Sequence, residues 1–497
     1  MTSNGSDAGD APGRLRAALA ARFGVDERAL AVLRAALAAL VVVDLALRAR
    51  HLTAFYTDAG VLPRSLLAEQ YGVLAQFSLH ALSGAAWAQA LLFGATAVAA
   101  LAMLAGYRTT LATLATGVLV TSLHYRNPLV LNSGDTLLRM LFLWGVFVPL
   151  GRRWSVDALA DRTPDASDGR VASVATAGLL VQVVVVYATN AVLKLRGDRW
   201  LAGDATERVL HLDMFTVLLG DALAEYPALL SALDRVWLAM LVGSVLLVAL
   251  TGWLRAAFAA AFAAAHAGML ATMQLGVFPL VSVAALVPFL PPAVWDRLPG
   301  WRRTPGVRRL PVERWARRVD GALPLLALPR PPRALVRWKR RVLPPLLGVL
   351  LVGLVAWNAA TVGLVGVPAA APVDESPEPR WDMFAPTPAD TDYWVVAPGR
   401  LAPGERVDAF HGGPVRWAEP PDVAASYPSS SWRKYVANLR GGDPALAAGF
   451  AEYLCTRPGA PEGLRSVEVY VVEEAVVLDG EGETERVRLA ARNCSGG

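Results

Sequence analysis

Between residues 171 and 193 the chain reads VASVATAGLLVQVVVVYATNAVL, without one charged side chain. A helix needs about 20 such residues to cross the hydrocarbon core of a bilayer. A backbone placed there must satisfy its own polar groups, which leaves helices or a closed barrel. Comparable apolar runs lie near 29–48, 85–105, 108–124, 134–150, 231–252, 255–275, 277–293 and 344–367. The third, fourth and eighth runs in chain order are short. The seventh and eighth read as one unit broken around QLGVFP. The expected fold is a polytopic α-helical membrane bundle with about nine spans. A composition 55% hydrophobic, with mean hydropathy +0.40, excludes an ordinary soluble enzyme of this length.

Charge placement sets the expected topology. Residues 296–341 carry fourteen Arg and Lys against three acidic residues, and loops of that kind stay on the cytoplasmic side. With eight spans before it, the Arg-rich segment 1–28 and GRRWSVDALADR at 151–162 fall on that side too. The first span is then also the targeting signal. The expected order is a cytoplasmic segment 1–28, a transmembrane domain 29–295, a basic cytoplasmic linker 296–343 and a last span 344–367. A mixed α/β extracytoplasmic domain follows at 370–497. From about residue 370 the chain holds 20 acidic against 12 basic residues. SVEVYVVEEAVVL alternates as a strand does, and PALAAGFAEYLC reads as a helix. Both cysteines, Cys455 and Cys494, lie in this tail; a disulfide and two thiols are equally open readings. No basic motif interleaved with aromatics points to nucleic acid.

The candidate chemistry begins with scarcity. Only Lys194, Lys339 and Lys434 are lysines among 47 basic residues. A shielded lysine can give up its proton, whereas arginine stays charged. Tyr187, Asn190 and Lys194 stand at i, i+3 and i+7, one helical face, and a polar stripe should turn from lipid into the bundle. The competing reading has Lys194 snorkelling at the membrane surface. Arg34, early in the first span, has the same two readings. Asp135 and Arg139 are spaced to pair on one helix. His266 sits in a small-residue helix, either as a packing element or as a reactive group. No HExxH, CxxC, nucleophile-elbow or phosphate-loop pattern occurs, so no metal is expected.

Several stretches carry a resemblance. ALAVLRAALAALVVVDL, GYRTT, GRRWSVDAL, VLKLRGDRWLAG and QLGVFPLVSVAALVPFLPPAVWDRL resemble, in this order, the membrane region of the vitamin K-dependent gamma-carboxylases. The wider group is the horizontally transferred transmembrane (HTTM) domain proteins, whose microbial members FYTDAGVLPRSLL resembles. RWDMFAPTP, SSSWRKYVANL and AEYLC extend the likeness towards the carboxyl terminus.

The resemblance implies a mechanism in which a lysine deprotonates a reduced quinone of the vitamin K or menaquinone type. Dioxygen then converts the quinol anion into a strong base, which removes a glutamyl γ-proton, and the carbanion captures carbon dioxide. It implies Lys194 and His266 as catalytic residues. Asp198 and Trp200, with Tyr187 and Asn190, would bind the quinone. Trp381, Asp382 and Met383 would bind the glutamyl substrate. The implied partners are membrane lipid, the quinone pool and a peptide or protein at the outer face of the cell membrane. Where the carboxylases read NNHSYLYG this chain reads LNSGDTLL, so their histidine is replaced near Ser133 to Asp135. Two functions follow: a quinol- and oxygen-dependent enzyme acting on a glutamyl or other carbon acid, or a non-carboxylating relative serving peptide maturation or export.

Overall fold

The computed structural model describes residues 11–159, 169–298, 332–366, 381–402, 404–478, 480 and 482–494. Most of the basic linker and the first ten residues lie outside these. The membrane part is built from α1 (Glu27–Ala49), α2 (Ala86–Ala105), α3 (Thr109–Arg126), α4 (Ser133–Gly145), α5 (Val174–Lys194), α6 (Pro227–Val242), α7 (Gly252–Thr272), α8 (Phe278–Leu286) and α9 (Arg333–Thr361). Among the described residues six helical stretches are long and apolar enough to cross a membrane: α1, α2, α5, α6 continued to Ala249, α7 and residues 337–361 of α9. The other three expected spans fall short of that length or apolarity. Threonines 109, 113, 116 and 121, with His124 and Arg126, make α3 too polar, and α4 has only 13 residues. The α8 segment is short as well, and a turn at Gly276, with φ 62°, separates it from α7.

Helix starts follow local chemistry. Ser173 caps α5 and receives a reciprocal bond from Thr176, a capping box that fixes the register of the polar stripe. Asn132 and Asp135 form the same device at α4. Asp135 also accepts from Arg48 of α1 at 2.5 Å, and Arg48 holds Asp44 at 2.7 Å. All three are buried, and pairing is what makes buried charge tolerable. Arg34 is buried too and does not snorkel: its guanidinium donates to the carbonyls of Leu150, Arg153 and Trp154 beyond the end of α4. Carbonyls left unpaired past a helix end supply the acceptors it needs.

Beyond the bundle lies the expected α/β domain. It holds β1 (Thr391–Val396), β2 (Pro398–Leu401), β3 (Arg406–Asp408), α10 (Ser430–Leu439), α11 (Pro444–Thr456), β4 (Leu464–Ala475) and β5 (Thr484–Asn493). All pairings are antiparallel. Strand β4 is the spine: β1 and β2 share one edge of it, β5 lines the other, and β3 extends from β2. Cys455 and Cys494 form a disulfide between the end of α11 and the end of β5.

Trp432 of α10 docks the domain on the bundle, its ring 4.6 Å from that of Phe55. A second tie runs through Met214, whose N–H reaches the Asp392 carboxylate at 3.1 Å and whose carbonyl accepts from Arg433 at 2.7 Å. Asp213, Asp392 and Glu419 crowd at this seam, their oxygens within 4.8 Å of one another. Burial first, then the carboxylates of Glu474 and Asp213, push Glu419 up to about 7. Burial likewise raises Asp392 to about 6.

A carboxyl group whose pKa is raised by folding holds its proton better in the folded state, so stability falls as pH climbs. The window runs from the ordinary carboxylate value, about 4, to about 7 for Glu419. Thermal unfolding of the full chain should therefore show a melting temperature that declines across this window. Glu419→Gln should flatten the decline, and an unchanged slope in that variant would refute the assignment.

Candidate functional site

The stripe predicted on α5 faces inward. Tyr187, Asn190 and Lys194 are buried, Lys194 to 2% exposure, so snorkelling is excluded. Each finds a specific partner. Asn190 Nδ2 donates to the carbonyls of Trp381 and Asp382 at 3.0 and 2.8 Å. Lys194 Nζ donates to the carbonyl of Met383 at 3.1 Å and lies 3.0 Å from the centroid of the Trp200 ring. Trp200 Nε1 donates to the carbonyl of Phe384 at 2.9 Å. Four consecutive carbonyls of RWDMF are thus held by three side chains from KLRGDRW and the helix before it. Met383 and Phe384 both have positive φ, 35° and 64°, a conformation that non-glycine residues adopt only when surroundings impose it. Trp381 anchors the strap from behind by donating to Asn358 of α9 at 2.8 Å.

The strap separates two chambers. The first has a volume of about 550 Å³ and is almost wholly apolar. Its polar atoms converge from Tyr187, Asn190, Lys194, Trp200 and His266. Tyr187 Oη and His266 Nε2 are 3.0 Å apart, and the Tyr187 ring stacks on Phe262 at 4.4 Å. His266 Nδ1 is buried with no hydrogen-bond partner. A buried orphan nitrogen is costly, and here it lines a cavity. The second chamber, about 700 Å³, is more polar than the first and lies under α10. Asp44, Arg48, Ser133, Asp382, the serines 429–431 and Lys434 line it. Leu275, Phe278, Met383 and Phe384 line both chambers, so they form the partition.

Of the residues expected at the site, Lys194, His266, Tyr187, Asn190 and Trp200 come together around the first chamber. Asp382 and Met383 line the second, and Trp381 supports the strap without facing either. Asp198 does not join them. It is exposed in the first turn of the short helix Asp198–Ala202, where an acidic residue meets the positive helix end. Residues passed over in the sequence include Lys434, half-buried in the second chamber, with burial lowering its pKa. Its rarity among the basic residues was the available signal. Asp234, fully buried and accepting from the Thr206 backbone N–H at 3.0 Å, gave no signal at all.

A match to the HTTM domain covers residues 24–295, more than half of the chain. The chain belongs to the HTTM family. That span contains Tyr187, Asn190, Lys194, Trp200 and His266, while the strap and the second chamber's α10 lie beyond it. No curated protein and no solved structure matches this HTTM chain.

Two acidic groupings among the described residues have metal-like spacing. In the first, Asp44 and Asp135 with His124, the guanidinium of Arg48 already bridges both carboxylates. The second is the proton-sharing seam of Asp213, Asp392 and Glu419.

Gly197 explains the remaining letter of KLRGDRW. A Cβ there would stand 1.6 Å from the backbone carbonyl oxygen of Pro386. No rotamer change relieves a backbone clash, so Gly197→Ala should displace the strap and cost about 2 kcal/mol. The check is limited proteolysis with mass spectrometry: cleavage between residues 381 and 386 should rise in the variant. Equal protection in both proteins would show that the contact does not hold the strap.

Proposed function

We propose that this HTTM protein is a quinol- and oxygen-dependent membrane enzyme that generates a strong base for deprotonating a carbon acid, a glutamyl group being the first candidate. The observation that carries the reading is the placement of Lys194. Its amine lies in an apolar chamber and is bonded to the strap, part of the partition between this chamber and a more polar one. A basic amine there meets a lipid-soluble acid on one side and a water-soluble substrate on the other.

The first chamber fits a quinol ring. Flat aromatic and aliphatic walls surround it, and the unpartnered Nδ1 of His266 offers a hydrogen bond to a ring oxygen. Bound there, a reduced quinone with dioxygen supplies the oxidative energy to make a base stronger than any side chain. Lys194, as general base, accepts a proton from a hydroxyl presented beside it. The face of Trp200 beneath Nζ then stabilises the ammonium. Tyr187 fixes the orientation of His266 through the 3.0 Å contact. In the second chamber Lys434 and the serines 429–431 offer donors to the carboxylate of a substrate, with the strap residues Asp382 and Met383 beside it. The proposed orientation keeps the amino terminus and basic linker cytoplasmic, so the second chamber faces outward.

A second reading, a non-carboxylating role in peptide maturation or export, is favoured by Ser133. It lines the second chamber in the stretch where the carboxylases carry histidine.

Purified full chain in lipid should consume reduced menaquinone in an oxygen-dependent manner. Lys194→Ala should abolish this while the protein still inserts and folds. Lys194→Arg should fail nearly as badly, because a guanidinium keeps its proton; wild-type turnover by that variant would end the general-base role. Lys434→Gln should leave quinol consumption intact and raise KM for a carboxylate substrate about 10-fold, since a charge-assisted hydrogen bond contributes about 1.5 kcal/mol. An unchanged KM would remove Lys434 from substrate binding.

A further inference from the structure

The wall of the first chamber is not closed against the membrane. On α6 it is made by Leu233 and Val236, which are also 42% and 56% exposed on the outer surface of the bundle. Opposite them on α7 it is made by Ala261, Ala264 and Gly268, likewise exposed. These residues line the cavity and are exposed on the bundle's surface at once, while the half-buried Trp237 of α6 reaches across to Phe262 and His266 of α7, 5.7 and 5.8 Å from their rings, and narrows the gap. A Cβ built on Gly268 meets nothing within 4 Å. Both helices are candidate spans, so what lies outside this gap is hydrocarbon. Between Ala264 and Gly268 on α7, and turned inward where they are turned out, His266 is 1% exposed and its Nδ1 lacks a partner. An apolar slit therefore leads from lipid to an unsatisfied buried polar atom, and the rim named here bears no charge.

We propose that the first chamber is loaded sideways from the bilayer through the slit between α6 and α7, and that its ligand is an amphiphile whose polar ring reaches His266 and Lys194 while its apolar tail stays in the slit. The choice of a quinone as the amphiphile rests on the function proposed above; the slit itself does not. A ligand entering from water would have to pass the strap and its four hydrogen-bonded carbonyls. A ligand already dissolved in lipid meets only apolar side chains and the ring of Trp237 on that path, and its tail exchanges one apolar surrounding for another.

The probe is a menaquinone carrying a diazirine in its isoprenoid tail, photolysed with the full chain in lipid nanodiscs and mapped by mass spectrometry. Saturable labelling at residues 233–240 and 261–269 supports the slit, and saturable labelling confined to other helices overturns it. Gly268→Leu, for which the fold has room, should cut that labelling about 10-fold while tail-less menadiol still competes for the chamber. Equal labelling in variant and wild type overturns the proposal. If no quinone labels saturably, the quinone reading fails, and a phospholipid with a diazirine in its acyl chain decides the slit alone. Labelling of the same two segments upholds it; labelling elsewhere or nowhere on α6 and α7 overturns it.

Discussion

Everything at the centre of this molecule hangs on a hydrogen-bonded strap. A segment from beyond the last span is pulled to the end of α5 by Asn190, Lys194 and Trp200, and Asn358 holds its tryptophan from the far side. The backbone of Met383 and Phe384 is bent into a conformation that costs of order 1–3 kcal/mol per residue. Donors from a rigid helix offset that cost, since their alternative is to be buried without partners. Removing the strap would merge an apolar and a polar chamber into one cleft and leave Lys194 open to it.

The placement has a chemical logic. Lysine is the only side chain here that combines a movable proton with a reach long enough to meet a backbone carbonyl across a helix end. Its bond to Met383 fixes the amine against the partition, over the face of the Trp200 ring. The contrast between chambers is supplied by different elements: aliphatic faces of α6 and α7 on one side, the polar start of α10 and the buried ion pairs of Arg48 on the other.

Much of this was legible in the residues. The polar stripe was visible because helix geometry is strict: i, i+3 and i+7 share a face whatever the rest of the chain does. The RWDMF segment was found through resemblance, but its service as a partition was not, because nothing local announces which carbonyls a distant helix will grip. Asp198 was misplaced for a related reason. A motif specifies spacing along the chain, and the turn at Gly197 sends its carboxylate outward. The apolar runs at α4 and α8 are longer than the helices they form, 13 and 9 residues, because a run of apolar residues does not announce where a helix breaks. Arg34 was ambiguous in sequence because its acceptors, three loop carbonyls, lie more than a hundred residues away.

The strap also bears on what an HTTM domain is. The matched region ends at residue 295, yet the wall of its chamber is finished by Met383 and Phe384 and the neighbouring chamber by residues from Pro428 to Arg440. Homology and structural self-sufficiency therefore part company in this chain. A chain with these helices and Lys194 but a different tail would have to close the same cavity with other material. The helical region then acts as a socket, and the tail decides what the socket is wired to.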